Sequence, residues 1–272
     1  RRHSFPTRRS SDLKLAVVDV TATLGQYGGW SEITDVIQDT HEDPILQGMM
    51  QVHGQQASES FEALTYLTLR AGTNVVYANG SARNAVNTKI SLGKVRSAVR
   101  TLNKNKCRKK TTILAPSVNY KTQAIEAAYV AVCHTDLEPD IRDLPGFVPV
   151  SQYGSRQTIC PQEFGSVENV RFITTTIATP FADAGGLDGD AVLSTTGTNA
   201  DVYPVLFFGE DAYGTVALKG KDSAEILVRN PGKPENGNEL GQRGSVGWKG
   251  WHVAARLNEA WMVRLEVAAT LL

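Results

Sequence analysis

The period of hydrophobic and polar positions changes several times along the chain, and each change marks an element. Between residues 15 and 24, Val18, Val20, Ala22 and Leu24 alternate with Asp19, Thr21 and Thr23. This period of two predicts a half-buried strand, whose natural partner is expected upstream. Gly25, Gly28 and Gly29 then loosen the chain around Tyr27 and Trp30. Asp43-Pro44 reads as a helix start, with Asp as N-cap and Pro at the first helical position. Leu46, Met49, Met50, His53, Ala57, Phe61, Leu64 and Leu67 follow at spacings of mostly three and four, one buried stripe. Gly72 stands where a C-terminal stop belongs. The helix Asp43–Ala71 would be roughly 40 Å long, enough to cross a whole domain or span between subunits. Gly48 and Gly54 within it cost about 1 kcal/mol each relative to alanine.

Beyond that helix the elements shorten. Val75–Ala78 predicts a short strand closed by an Asn79-Gly80 turn. Ser91 caps a second helix with Leu92, Val95, Val99 and Leu102 on its apolar face. Tyr129–Cys133 is a continuous apolar run, the pattern of a buried strand. His134 closes it, and a helix runs from Thr135 to Leu144. Residues 146–165 read as loop, and Val167–Ile177 as a Thr-, Val- and Ile-rich strand. Phe181–Asn199, rich in Gly, Asp, Ser and Thr, reads as an exposed loop. Val202–Phe208, Thr215–Leu218 and Glu225–Val228 are strand-like, and Asn230–Gly241 is a Pro/Gly/Asn loop. Val246–Val267 reads as strand pairs around an Asn258-Glu259 turn. There is no internal repeat and no low-complexity tract.

Composition narrows the class. A chain of 272 residues, 41% hydrophobic and 21% charged, has ordinary globular composition and room for one large domain or two small ones. No apolar run reaches the length of a membrane-spanning helix, and the N-terminal residues lack the apolar core of a secretory signal. Residues His3–Leu13, HSFPTRRSSDL, match the in-frame translation of a widely used sequencing adapter. Residues 1–13 are therefore expected to be an artefact and Lys14 an accidental truncation point, with the natural N-terminus missing. They hold four of the 28 basic residues and one of the 28 acidic ones, so the rest of the chain is slightly acidic. That is a poor footprint for a dedicated nucleic-acid binder. Cys107, Cys133 and Cys160, an odd number without CxxC spacing, argue against a disulfide framework or a structural zinc site.

The search for chemistry comes back thin. GxSxG, HExxH, a P-loop and a strand-following GxGxxG are absent. No two of His3, His41, His53, His134 and His252 stand three or four residues apart, so no helical metal pair exists. His53 lies on the apolar stripe of the long helix and reads as a satisfied core histidine. Cys107 sits in a lysine-rich stretch that would lower its pKa. Cys133-His134 suggests a thiol hydrolase, but neighbours on a strand point to opposite faces and form no dyad with each other. Asp183, Asp188 and Asp190 suggest a calcium loop, yet the spacing is not that of an EF-hand and no Glu closes it. The run Lys104, Lys106, Arg108, Lys109, Lys110 is a phosphate contact or a solvated helix end favoured by the macrodipole. Gly72-Thr73-Asn74 and Gly241–Gly247 read as turn geometry rather than phosphate cradles. Trp248, Trp251 and Trp261 suggest a packed sheet in the core, not a sugar platform.

One resemblance carries further. In order, the segments are TATLGQYGGWSEITD (Thr21–Asp35), Asp43-Pro44, LRAGTNVVYANG (Leu69–Gly80), VRSAVRTLNKNK (Val95–Lys106), YVAVCHTDLEPDIRDL (Tyr129–Leu144), FGEDAYGTVAL (Phe208–Leu218) and QRGSVGWKGWHVAARLNEAWMVRLE (Gln242–Glu266). Together they resemble the major capsid proteins of tailed bacteriophages, the family typified by the coat protein of phage N-four. The resemblance implies the α+β Hong Kong 97-type shell fold, here N-terminally truncated. It places the returning strand of an extended loop and the entry to a peripheral domain in residues 14–42. A peripheral domain with a spine helix falls in 43–89, an axial domain in 90–215, and a C-terminal return to the peripheral domain in 216–272. It implies a structural, non-enzymatic virion protein that self-assembles into hexamers and pentamers around double-stranded DNA, contacted non-specifically. Scaffold, portal and decoration proteins are the expected partners, and assembly is expected in the bacterial cytoplasm, with no membrane. No catalytic, cofactor-binding or metal-binding residue is expected. The alternatives are a bacterial compartment shell of the same fold enclosing protein cargo, and a hydrolase using Cys133 or His134.

Overall fold

The computed structural model describes residues 19–40, 44–114, 122–154, 156–189, 191–216, 224–234 and 237–272. The expected adapter segment and residues 15–18 of the expected first strand lie outside them. Residues 19–24 carry no strand; the first strand is β1, Gly25–Thr34. Its glycines do not loosen the chain but let two strands approach closely. A Cβ at Gly28 would stand 2.6 Å from the Trp248 carbonyl oxygen, and one at Gly247 would stand 2.9 Å from that of Gly29.

The short helix α1, Asp35–Thr40, leads to α2, Ile45–Arg70, whose 26 residues run unbroken. The expected cap Asp43 lies outside the described residues, and Pro44 occupies the N-cap position. His53, Ala57, Tyr66 and Leu69 are buried, whereas Leu67 of the expected stripe is 54% exposed. The stripe rotates because the partner changes. The middle of α2 lies on β1 and a C-terminal strand, while its last turns pack against Ala178, Leu206 and Met262. Gly72 follows the helix without a left-handed φ. Its missing side chain makes room instead, since a Cβ there would stand 2.8 Å from Met262 Cε.

Strand β2, Val75–Tyr77, leads to Asn79-Gly80, which does not make a hairpin. Asn79 Nδ2 donates to the Ala85 carbonyl at 2.8 Å and to Asn87 Oδ1 at 2.9 Å, folding a loop instead. Helix α3, Leu92–Lys104, buries Val95 and Leu102 of the expected face and Ala98 beside them, with Leu92 and Val99 partly buried against the core. Each buried aliphatic of valine or leucine size contributes about 1.5–3 kcal/mol. Strands β3, Lys110–Leu114, and β4, Thr122–Cys133, pair antiparallel. A 3-10 turn at Thr135–Leu137 and helix α4, Glu138–Arg142, follow.

Residues 146–165 are more ordered than a loop: they hold β5, Phe147–Pro149, and the start of β6, Glu163–Val167. The expected strand 167–177 is divided by a turn at Glu168-Asn169, with β7 at Val170–Thr174. The polar look of β6 hid it. Glu163 is buried because it accepts a 2.8 Å hydrogen bond from Tyr153 and pairs with Arg171 at 3.7 Å. The remaining strands are β8, Tyr203–Phe208; β9, Tyr213–Thr215; β10, Ala224–Arg229; β11, Arg243–His252; β12, Ala254–Arg256; and β13, Met262–Val267.

Among the described residues three sheets result. The main one runs β2-β13-β8-β4-β7-β6-β5, with β3 on β4; a second runs β1-β11-β10; and β12 pairs with β9. Strands β12 and β13 thus do not pair with each other around Asn258-Glu259, as expected; β13 lies between β8 and β2. In the main sheet β2 and β13 lie beside strands from residues 122–208. Tyr129, Phe172, Phe207, Leu102, Leu137, Ile141 and Leu265 fill the core on the main sheet. The tryptophans are not one packed sheet: Trp248 lies under α2, and Trp261, in the turn before β13, donates to the Asn105 carbonyl at 3.0 Å.

Candidate functional site

Cys133 and His134 have separate hydrogen-bond partners and do not pair with each other. Cys133 is fully buried, its thiol donates to the Ile173 carbonyl, and burial pushes its pKa far up. His134 turns away, its Nδ1 accepting from the Asp136 amide at 3.2 Å. Cys107 is pushed up by burial, not lowered by the lysines around it, because those side chains reach solvent while the thiol faces the Arg108 and Trp261 carbonyls. Burial also raises Cys160. A thiolate nucleophile is therefore disfavoured at all three positions.

His53 is a satisfied interior histidine. Gln56 Oε1 accepts from Trp248 Nε1 at 3.1 Å, and indole is a donor only, so the atom there must be the oxygen. His53 Nδ1, 3.2 Å from that oxygen, therefore donates to it, and Nε2 lies 3.0 Å from Ser31 Oγ. One histidine thus ties α2 to β1, and Gln56 ties it to β11. His252 lies farther along α2, stacked on Phe61 at 5.0 Å with Nε2 2.9 Å from Thr65 Oγ1. Burial lowers its pKa.

The aspartate-rich loop is built rather than loose, held by hydrogen bonds to its carboxylates. Asp201, fully buried and not foreseen, accepts from the Asp183 amide at 2.8 Å, the Thr195 amide at 2.9 Å and the Thr195 hydroxyl at 2.7 Å. Asp183 accepts from the Asn199 amide at 2.8 Å. Asp190 lies outside the described residues, and among those described no three His, Cys, Asp or Glu converge as a metal site. Gly72-Thr73-Asn74 is a clasp: the Thr73 amide donates to Glu259, and Asn74 Nδ2 donates to the Met262 carbonyl at 3.0 Å. In the basic run Lys104 ends α3, and the Lys109 ammonium lies 5.7 Å from the Tyr129 ring.

The densest polar cluster was missed altogether. Glu266, with no exposed surface, accepts two 2.8 Å hydrogen bonds from Arg83 and one from Arg264. Arg264 also donates to the carbonyls of Arg70 and Gly72. The guanidinium carbons of Arg83 and Arg70 stand 3.4 and 3.6 Å from the Phe181 centroid, a spacing that requires opposite faces of the ring. The cluster joins the end of α2, the loop after β2, the 181–201 loop and β13, and so locks the chain's distant parts together. Crevices of about 300, 610 and 450 Å³ follow the seam between α2 and residues 173–179. The first is lined mainly by apolar groups such as Phe61, Leu69, Leu206 and Phe208, with the 2.9 Å Thr65–His252 contact and the 3.0 Å Thr175–Glu62 contact among its polar groups.

The sequence of residues 17–265 matches the model of a family described as phage capsid protein. The chain belongs to that family. None of the curated proteins matches it in sequence. In fold it is similar to the head structure of Helicobacter pylori bacteriophage KHP40, with a TM-score of 0.58 and 11% identity over 90% of this chain and 74% of that one. The capsid of cyanophage P-SCSP1u gives 0.53 and 12% over 98% and 81%. The SrpI encapsulin of Synechococcus elongatus PCC 7942 gives 0.52 and 11% over 90% and 74%. The fold is the α+β Hong Kong 97-type shell fold, as the resemblance implied.

For a member of this family the working parts are surfaces. Trp30 is 72% exposed and Leu227 44% exposed, and the strand register places both opposite Gly247, one on each side. Directly paired residues share a face, so the two flank a glycine gap on the side of the sheet away from α2. Ion pairs Arg243–Glu32 at 3.3 Å and Lys249–Glu225 at 3.6 Å join neighbouring strands on that face. An apolar centre with a charged border is the anatomy of a protein interface.

Proposed function

We propose that this chain is the structural subunit of an icosahedral phage capsid, assembling into hexamers and pentamers that enclose double-stranded DNA. The observation that carries the reading is the family match across nearly the whole chain, on a fold shared with phage heads. The physical design agrees. Helix α2 is a rod roughly 40 Å long that ties a three-stranded sheet to the main sheet, and the described surface keeps large apolar side chains exposed. Such edges suit the obligate interfaces of a closed shell, which bury about 2,000 Å² or more. In this reading α2 is the spine, the sheet β1-β11-β10 belongs to the peripheral domain and the main sheet to the axial domain. The protein acts without catalysis, in the virion, after assembly in the host cytoplasm. Scaffold, portal and decoration proteins are its partners, packaged DNA is touched without sequence preference, and no membrane takes part.

A second reading, a bacterial compartment shell around protein cargo, is favoured by the likeness to an encapsulin. Expression of the full-length gene product, followed by sedimentation and electron microscopy, tests both. Closed particles with nuclease-protected DNA in infected cells support the first, and particles holding a co-purifying protein support the second. A full-length gene product that stays monomeric at high concentration overturns both.

A further inference from the structure

Strand β10 is open where strands are usually covered. Ile226, Leu227 and Val228 are 45%, 44% and 42% exposed. Successive side chains point to opposite faces, so apolar surface is open on both sides of the strand. Among the described residues β10 pairs with β11 alone, leaving its other edge without a strand. Natural proteins protect such edges with charges, proline or cover, because an open apolar edge recruits another strand. Here the charges stand at the ends, Glu225 before the apolar triplet and Arg229 after it.

That order is self-complementary in one direction. If two β10 strands meet antiparallel about Leu227, Leu227 faces its own copy and Ile226 faces Val228 of the second copy. Glu225 then faces Arg229 of the second copy at both ends. Parallel in-register pairing would instead set Glu225 against Glu225 and Arg229 against Arg229, which is unfavourable. We propose that β10 is the edge at which two copies of this chain join antiparallel, about a local two-fold axis, merging their three-stranded sheets into one of six strands. The occupant is a second copy because the charge order fits itself, and the proposal rests on the shell reading above. It also gives the outer face a role: Trp30, Gly247 and Leu227 of one copy would run into Leu227, Gly247 and Trp30 of the other as one apolar band.

Charge exchange tests the pairing. Glu225→Arg and Arg229→Glu each place two like-charge pairs across the joint, and the double exchange restores both. Within the subunit the double exchange still leaves a guanidinium facing Lys249, where Glu225 now pairs with it, so recovery cannot come from that contact. Each single variant is expected to raise the concentration of half-association roughly ten-fold, measured by sedimentation of the full chain, and the double variant to return it near the starting value. In a separate Leu227→Cys variant, mild oxidation of the associated protein with diamide should yield a 227–227 disulfide between copies, mapped by mass spectrometry. Unchanged association in both single variants, no recovery in the double, or no 227–227 disulfide in particles that do form overturns the β10 joint and leaves the shell reading standing. A full-length gene product that does not associate removes the shell reading itself, and the joint with it.

Discussion

At the scale of single residues, the molecule separates charges that hold it together from charges that do not. Glu266 is fully buried and serves two guanidinium groups, so Glu266→Ala strands them and should cost about 3–5 kcal/mol in urea denaturation. Arg96→Ala breaks a pair whose side chains are 62% and 39% exposed and should cost less than about 1 kcal/mol. The Tyr66 hydroxyl is buried with no hydrogen-bond partner among the described residues. Tyr66→Phe should therefore be neutral or raise stability by about 1 kcal/mol, where truncating a satisfied tyrosine would lower it. His252 supplies a pH dependence. Burial lowers its pKa from 6.5, so the unfolded chain binds the proton more readily. Its contribution is complete above pH 6.5 and is lost as the pH falls below that value. His252→Gln should flatten the acid side of a stability–pH curve measured by thermal denaturation. Burial and not sequence spacing sets all these effects, which is why only His53, already on an apolar stripe, was readable beforehand.

At the scale of elements, glycine means different things in different places. A Cβ at Gly48 of α2 would meet nothing within 4 Å, so Gly48→Ala should gain the helix about 1 kcal/mol, seen as a higher Tm. Gly28→Ala should do the reverse, because its Cβ would press on the Trp248 backbone and part β1 from β11. The sequence shows glycine in both cases, and only the neighbouring strand tells them apart. Helices α2 and α3 were legible because a 3.6-residue period repeats over several turns and averages out exceptions such as Leu67. Strands β1 and β6 were not. In β1 glycines replace the side chains that would have alternated, and in β6 a buried Glu163 imitates a surface position until Tyr153 and Arg171 are placed beside it.

At the scale of the whole molecule, the fold has a protected centre and an open margin. Amide hydrogen exchange on the unassembled subunit should be slowest in β8 and in the end of β4, residues 129–133, which are paired on both sides and largely buried, and much faster in β10. Equal protection of β10 in a monomer would mean that its edge is covered within the subunit. The sequence by itself determined the long helix α2, the α3 core face and the family, and the family's ordered motifs set the direction of the functional reading. These are local periods and ordered motifs, and local interactions are written in adjacent residues. The tertiary structure alone decided which strands share a sheet, that β13 sits between β2 and β8, and that Glu266 closes a cluster with Arg83 and Arg264. Those pairings join residues up to about 190 positions apart, and the energy that selects them comes from burial and partnership that no single stretch of chain contains.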